Sequence, residues 1–377
     1  MSTPKSMSLR SMAEDDWNEI MASIEREECI LVLGPGAIQN ARGESLHDQL
    51  ADLLAKETDE EVPKEQEKVF FLSDCLMQKR GWRKILGDRV NQAFSPEAPH
   101  PYFQQLAEIP FHFYVSLSPD HLLKDAFEEK ALSHQFVYYN YKENPEFTET
   151  PQKENPMILN LFGSRDHDDS MVLTHDALFD FLFAILSTKR LPLQVKEKII
   201  SAYNFVLLGF DFESWYLKIL LRLFESHRKE ISYANVWHKA GLSQDTQWFY
   251  ESKFKVDFVD DQIPEFISAL HDRCKKENIL RQTVEGEEAA RQSLYNKVVA
   301  YIKQSKVDEA IDALDKEAMD MGDNDIFTQV VLMSRRYNGL VSNQTKGIIS
   351  REDAELELNQ IVNGLIGIAE TISEETA

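Results

Sequence analysis

The chain is short of cysteine, of basic charge and of long apolar runs, and each shortage excludes a class of protein. Its three cysteines, Cys29, Cys75 and Cys274, are far apart and odd in number. That spacing excludes a disulfide framework and a cysteine-based zinc site, and it fits a reducing, cytoplasmic setting. Lysine and arginine number 41 against 64 aspartates and glutamates, a net charge of −23. Such a balance argues against reading nucleic acid, which needs a basic face to displace counterions, and against docking on an anionic membrane. The longest apolar run, Phe205–Phe210, is strand-sized, far below the roughly 18 residues that span a bilayer. The N-terminal MSTPKSMSLRSMAEDDW has no apolar core of the secretory type. With 14 glycines and 13 prolines in 377 residues the chain is not of low complexity. Its length suits two or three units of roughly 150 residues.

What is present is a series of short, continuous apolar runs separated by helical patterns. Cys29–Leu33, Phe111–Leu117, Met157–Phe162 and Asn204–Phe210 each have the composition of a strand buried on both faces. Ala234–His238 and Val256–Val259 are weaker members of the series. Helices are expected at Trp17–Glu27, over Leu46–Leu54, from Pro119 to Ala131, at His175–Leu186 and at Trp215–Phe224, with a loop or exposed helix start over Glu57–Glu67. Alternating strands and helices predict an α/β fold, a doubly wound and mainly parallel sheet, over residues 17–284. Residues 1–16 are expected to be flexible. Ligands of such sheets bind at the carboxyl ends of the strands, here Gly34–Ile38, Ser116–Asp120, Phe162–Arg165 and Gly209–Glu213. Beyond the acidic break Glu285–Glu288 only helical stripes remain. The last, Ala354, Leu358, Ile361, Leu365, Ile368 and Ile372, steps by four and three, so residues 285–377 are expected to form an all-α helical bundle.

Gly34-Pro-Gly-Ala37 follows a strand and precedes a helix, where glycines let a backbone approach a phosphate. It lacks the third glycine of a dinucleotide fingerprint and the Lys-Ser/Thr pair of a P-loop, and Pro35 removes one N–H donor. Four segments taken together are more specific. GPGAIQNARGESLHDQLADLL, FHFYVSLSPDHLLKDAF, ILNLFGSRDHDDSMVLTHDALFDFL and NFVLLGFDFESWYLKILLRLF stand in the order and spacing of a SIR2-like, sirtuin-related domain. The chain resembles the divergent bacterial branch of anti-phage immunity, over about residues 17–275. The C-terminal segment around Gly347–Asp353, with Glu355, Asn359 and Ile361, resembles an effector-associated adaptor domain.

The first resemblance implies a Rossmann-type fold that binds NAD or an ADP-ribose-type nucleotide through Gly34, Gly36, Ala37, Ser118, Asp120, Gly163, Gly209 and Asp211. It implies no metal. The second implies a protein partner engaged through residues 287–377, and related effectors assemble as homo-oligomers. The family's asparagine falls at Ser118 and its histidine at Phe162, a side chain that exchanges no proton. A catalytically degenerate scaffold, adaptor or nucleotide sensor is therefore expected; the alternative is an active NAD⁺ glycohydrolase using another base. His121, His167 and His175 are the nearby imidazoles, and His167, in the Arg165–Asp169 loop, is the expected rescue base. A metal site in that loop is not expected.

Overall fold

The computed structural model describes residues 12–63, 67–143, 150–186, 191–226, 234–237, 242–259, 262–282, 295, 297–299, 301–303, 306–321 and 324–374. The chain divides into two compact units, Met1–Arg281 and Gln282–Ala377.

Among the described residues, the first unit is built on seven parallel strands: β1 (Cys29–Leu33), β2 (Phe113–Ser116), β3 (Gln135–Tyr138), β4 (Met157–Asn160), β5 (Asn204–Leu208), β6 (Ala234–Trp237) and β7 (Val256–Val259). They lie in the order β3-β4-β2-β1-β5-β6-β7. The chain starts in the middle, passes through β2 to the edge strand β3, steps back to place β4 between them, then crosses to β5 and builds to the other edge. The connections leaving β1 and β5 therefore diverge, and the switch point lies between these two strands, in register from Cys29–Asn204 to Leu33–Leu208.

Every residue of β1, β2, β4 and β5 is buried, which is why these strands are continuous apolar runs rather than alternating ones. Successive side chains pack into two separate cores. Leu31 and Leu33 join the helices α1 (Glu14–Glu25), α2 (Leu46–Thr58), α4 (Trp82–Ala93), α5 (Tyr102–Glu108), α6 (Leu122–Glu129) and α11 (Ile263–Lys276). Ile30 and Val32 face α7 (His175–Leu186), α8 (Leu193–Ser201), α9 (Trp215–Ser226) and α10 (Gln244–Phe254). Helix α3 (Lys68–Leu76) contributes to both, with Leu72 and Leu76 in the first core and Phe70 in the second.

Three features differ from the sequence reading. The first helix begins at Glu14, inside the segment expected to be flexible, with the Asp16 carboxylate accepting the Ala13 N–H at 2.8 Å; residues 1–11 lie outside the described residues. The sheet gains β3, which among the described residues is an edge strand pairing with β4 alone; its four residues are all partly exposed, so QFVY carries no buried-strand pattern. Helices α3, α4, α5, α8, α10 and α11 fall in stretches where the sequence pattern predicts no element. His238 and the acidic break at 285–288 lie outside the described residues.

In the second unit, α12 (Val307–Met321), α13 (Asn324–Thr345) and α14 (Arg351–Glu374) share a core of Ala310, Leu314, Val330, Ile361, Leu365 and Ile372. Of the regular stripe on α14, Leu358 is partly buried and the other five residues are fully so. Gly364 permits close approach of α13, because a Cβ there would lie 2.8 Å from Met333 Sδ. No described helix is long and apolar enough to cross a membrane.

Candidate functional site

At the switch point the Gly34–Ala37 turn is a short 3-10 turn stapled to the end of β5. Gly34 N–H donates to the Leu208 carbonyl at 2.7 Å and Gly36 N–H to the Gly209 carbonyl at 2.8 Å. Ala37 N–H returns to Gly34 O at 3.0 Å and Ile38 N–H to Pro35 O at 3.2 Å. Pro35 has no N–H to offer. The donors that would cradle a phosphate are thus engaged within the chain. The glycines serve this backbone contact, for a Cβ on Gly34 would meet Gly209 O at 2.6 Å and one on Gly36 would meet it at 2.9 Å. The turn is fixed further by the Tyr102 hydroxyl, which donates to Ala37 O.

Ser118 and Asp120 sit in the loop between β2 and α6, both buried. Asp120 Oδ1 accepts the N–H of Leu122, the first residue of α6, at 2.9 Å in the turn that enters the helix. Asn160, the last residue of β4, donates from Nδ2 to the Asp120 carbonyl at 2.6 Å. Burial raises the Asp120 pKa, opposed by the Ser118 hydroxyl, the Leu122 amide and the Arg165 charge.

The partner of Ser118 is a residue that the sequence reading missed. Ser45 Oγ accepts the Asp48 N–H and caps α2, which places His47 in the first helical turn. From there His47 Nε2 lies 3.0 Å from Ser118 Oγ, with its ring 5.0 Å from that of Phe94. Burial pushes the His47 pKa down to about 4, so the imidazole is neutral at pH 7. An imidazole therefore does reach the strand ends, and it comes from α2.

Phe162 faces the other core. It is 2% exposed and packs against Phe181 at 5.3 Å, Tyr216 at 6.2 Å and Phe70 at 6.4 Å between ring centroids. Gly163 follows with φ +87°, and a Cβ there would lie 2.3 Å from Ser170 O. Gly209 has φ +72°, with Ala37 N 2.1 Å from where its Cβ would be. Both glycines are required by the backbone path. Asp211 is exposed, and its Oδ1 accepts the Glu213 N–H at 3.0 Å in the turn into α9.

His167 does not fold over these strand ends. Its exposed ring stacks on Tyr138 of the edge strand β3 at 4.7 Å, three strands from β1. His121 Nε2 lies 2.9 Å from Ser164 Oγ. His175 Nδ1 lies 2.5 Å from Asp74 Oδ2, and its Nε2 lies 3.6 Å from Glu67, which ties α7 to α3. Among the described residues, no three His, Cys, Asp or Glu side chains gather as a metal-binding group.

Two buried histidines, His112 and His121, also have pKa values pushed down to about 4, chiefly by burial. Neither ring nitrogen of His112 has a hydrogen-bond partner. Because the folded pKa lies below the unfolded value near 6.5, the native state binds fewer protons. The stability this confers is complete above the unfolded pKa and is lost as pH falls towards 4. At about pH 5 each of these two groups is expected to cost roughly 2 kcal/mol. Urea midpoints across the pH range check this, and His112→Leu is expected to flatten the profile. An unchanged profile in that variant would remove His112 from the account.

Residues 113–254 match the SIR2-like domain, and residues 293–373 match effector-associated domain 11. The chain carries a SIR2-like domain followed by an effector-associated domain. A solved structure from work on the mechanism and regulation of Sir2 enzymes aligns over 71% of this chain and 99% of its own, at 13% identity and a TM-score of 0.34. No curated protein sequence matches the chain.

Proposed function

We propose that this protein is a catalytically degenerate SIR2-like component of bacterial anti-phage immunity, a scaffold or adaptor working through its effector-associated domain. The observation that carries the reading is Phe162. At the position where the resemblance expects a histidine, the chain has a ring buried among Phe70, Phe181 and Tyr216. The switch point supports the same reading. NAD would need phosphate donors there, and those of the Gly34–Ala37 turn already bind Leu208, Gly209, Gly34 and Pro35. These residues fit a pyrophosphate poorly, so a nucleotide-sensing role ranks below scaffolding.

A second reading has one observation in its favour. The neutral His47 imidazole beside Ser118 is a group of the type a general base requires, and it favours an active NAD⁺ glycohydrolase. Proton NMR of NAD⁺ with stoichiometric protein distinguishes the two. Degeneracy predicts no free nicotinamide over hours, while release that His47→Ala abolishes would establish the second reading. Saturation transfer to the adenine protons without cleavage would support a retained nucleotide sensor. Association through residues 287–377, and homo-oligomerisation of the full chain, belong to the same proposal and are read by sedimentation with and without that segment.

A further inference from the structure

Helix α7 lies on the second core with Leu178, Phe181, Leu182 and Ile185 turned inward. Its outward face is unlike that of a solvated helix. Five of its residues are exposed, Asp176, Phe179, Asp180, Phe183 and Leu186. Three of these are large and apolar, where polar or charged groups are usual. Phe179, Phe183 and Leu186 are 57%, 74% and 55% exposed. Spaced by four and three residues, they form one stripe about 10 Å long. Trp215, at the start of α9, widens it, with its ring stacked on Phe179 at 5.4 Å. Apolar residues exposed singly need no explanation, but a contiguous patch marks an interaction surface. At these exposures the three side chains of the stripe present on the order of 350 Å².

We propose that the outward face of α7 is the contact between two copies of this chain, with the two α7 helices antiparallel across a two-fold axis near Phe183. Area, shape and charge each favour a second copy. Two stripes together supply roughly 700 Å² of apolar surface, close to the apolar content of an interface of about 1,000 Å², the lower bound for a specific contact. A two-fold contact places the same patch on both sides, and a ridge of side chains four and three residues apart packs beside its own copy. The exposed charges of α7, Asp176 and Asp180, lie in its N-terminal half. Antiparallel pairing about Phe183 sends the two acidic pairs to opposite ends of the contact, whereas parallel pairing sets them side by side. The inference deepens the homo-oligomerisation in the proposed function and rests on that part of it alone. It holds whether or not the domain cleaves a nucleotide.

Sedimentation of the full chain is expected to show a dimer that tightens as salt rises. Salt screens the repulsion between two chains of charge −23, while an apolar contact does not depend on charge. Phe183→Glu is expected to raise the dimer Kd at least about tenfold, because an aromatic at the centre of a two-fold contact is met by its own copy. Trp248→Glu, at a side chain on α10 that is 60% exposed, is expected to leave the Kd unchanged. Equal weakening by both variants, or a contact that loosens with salt, would overturn the assignment. A dimer that persists in Phe183→Glu would overturn it too, and would leave homo-oligomerisation standing on another surface. A chain monomeric at every concentration would remove both and give the α7 face to a different partner. Cross-linking keeps the test independent of how well Phe183→Glu folds. Cys29 and Cys274 are buried, so Cys75→Ser provides the background. In a mixture of Phe179→Cys and Leu186→Cys proteins, cross-links between the two are expected to exceed those of Phe179→Cys with itself, and the reverse preference would rule out the antiparallel contact.

Discussion

Phe162→Ala is expected to destabilise the first unit by about 3–5 kcal/mol, the range for emptying a buried phenylalanine site. The neighbours give the reason. Phe181 and Phe70 meet the Phe162 ring edge-on, at interplanar angles of 79° and 78°, and Tyr216 is tilted against it. These rings come from three different helices, so they cannot all close the gap without breaking other contacts. Phe162→His restores the family residue yet is expected to lose stability too, by about 1–3 kcal/mol, because the imidazole must be desolvated among aromatic rings. It is also expected to gain no NAD⁺ cleavage. Urea midpoints followed by tryptophan fluorescence, with nicotinamide release measured in parallel, check both. A Phe162→His protein that is as stable as wild type and cleaves NAD⁺ would show that Phe162 faces an open site, and the degenerate reading would be abandoned.

Gly209→Ala is the second large effect expected. Its φ of +72° costs an L-residue roughly 1–2 kcal/mol. The added Cβ would also lie 2.1 Å from Ala37 N and 2.6 Å from Gly36 C, both backbone atoms. Relieving that overlap means pulling the Gly34–Ala37 turn from the end of β5 and losing the Gly36–Gly209 hydrogen bond, about 1–3 kcal/mol more. A combined loss of about 2–5 kcal/mol is expected from denaturation midpoints. By contrast Gly81→Ala, at φ +76° with nothing within 4 Å of the new Cβ, should show only the conformational cost. Equal losses at the two positions would mean that the close approach at the switch point contributes nothing.

The parts of the fold legible in the sequence are those whose environment is uniform. Strands buried on both faces are continuous apolar runs, so β1, β2, β4 and β5 were readable, as was β7, whose bounds Val256–Val259 match the expectation. Helix α7 also begins and ends where its pattern predicted, at His175 and Leu186. Strand β3 was not legible, since an edge strand with four half-buried residues carries neither alternation nor an apolar run. Helix α3 was not legible either, because Phe70 serves one core while Leu72 and Leu76 serve the other, which blurs a single apolar face.

The candidate site divides the same way. Sequence order alone placed Ser118 and Phe162 at the positions where the family resemblance expects asparagine and histidine, because a motif is local and its substitutions are visible in one chain. The sequence by itself also determined the α/β alternation, the acidic charge and the helical C-terminal region. Only the tertiary structure decided what those residues touch. His47 reaches Ser118 across 71 residues of chain, and no spacing rule links an α2 side chain to the loop after β2. His167 was drawn to the sheet edge by Tyr138, and Gly34 and Gly36 were committed to Gly209. Side-chain identity is written in the sequence, but whether a donor is free, a ring is buried or an imidazole has a partner depends on contacts between distant segments, and those form only when the sheet brings its strand ends together.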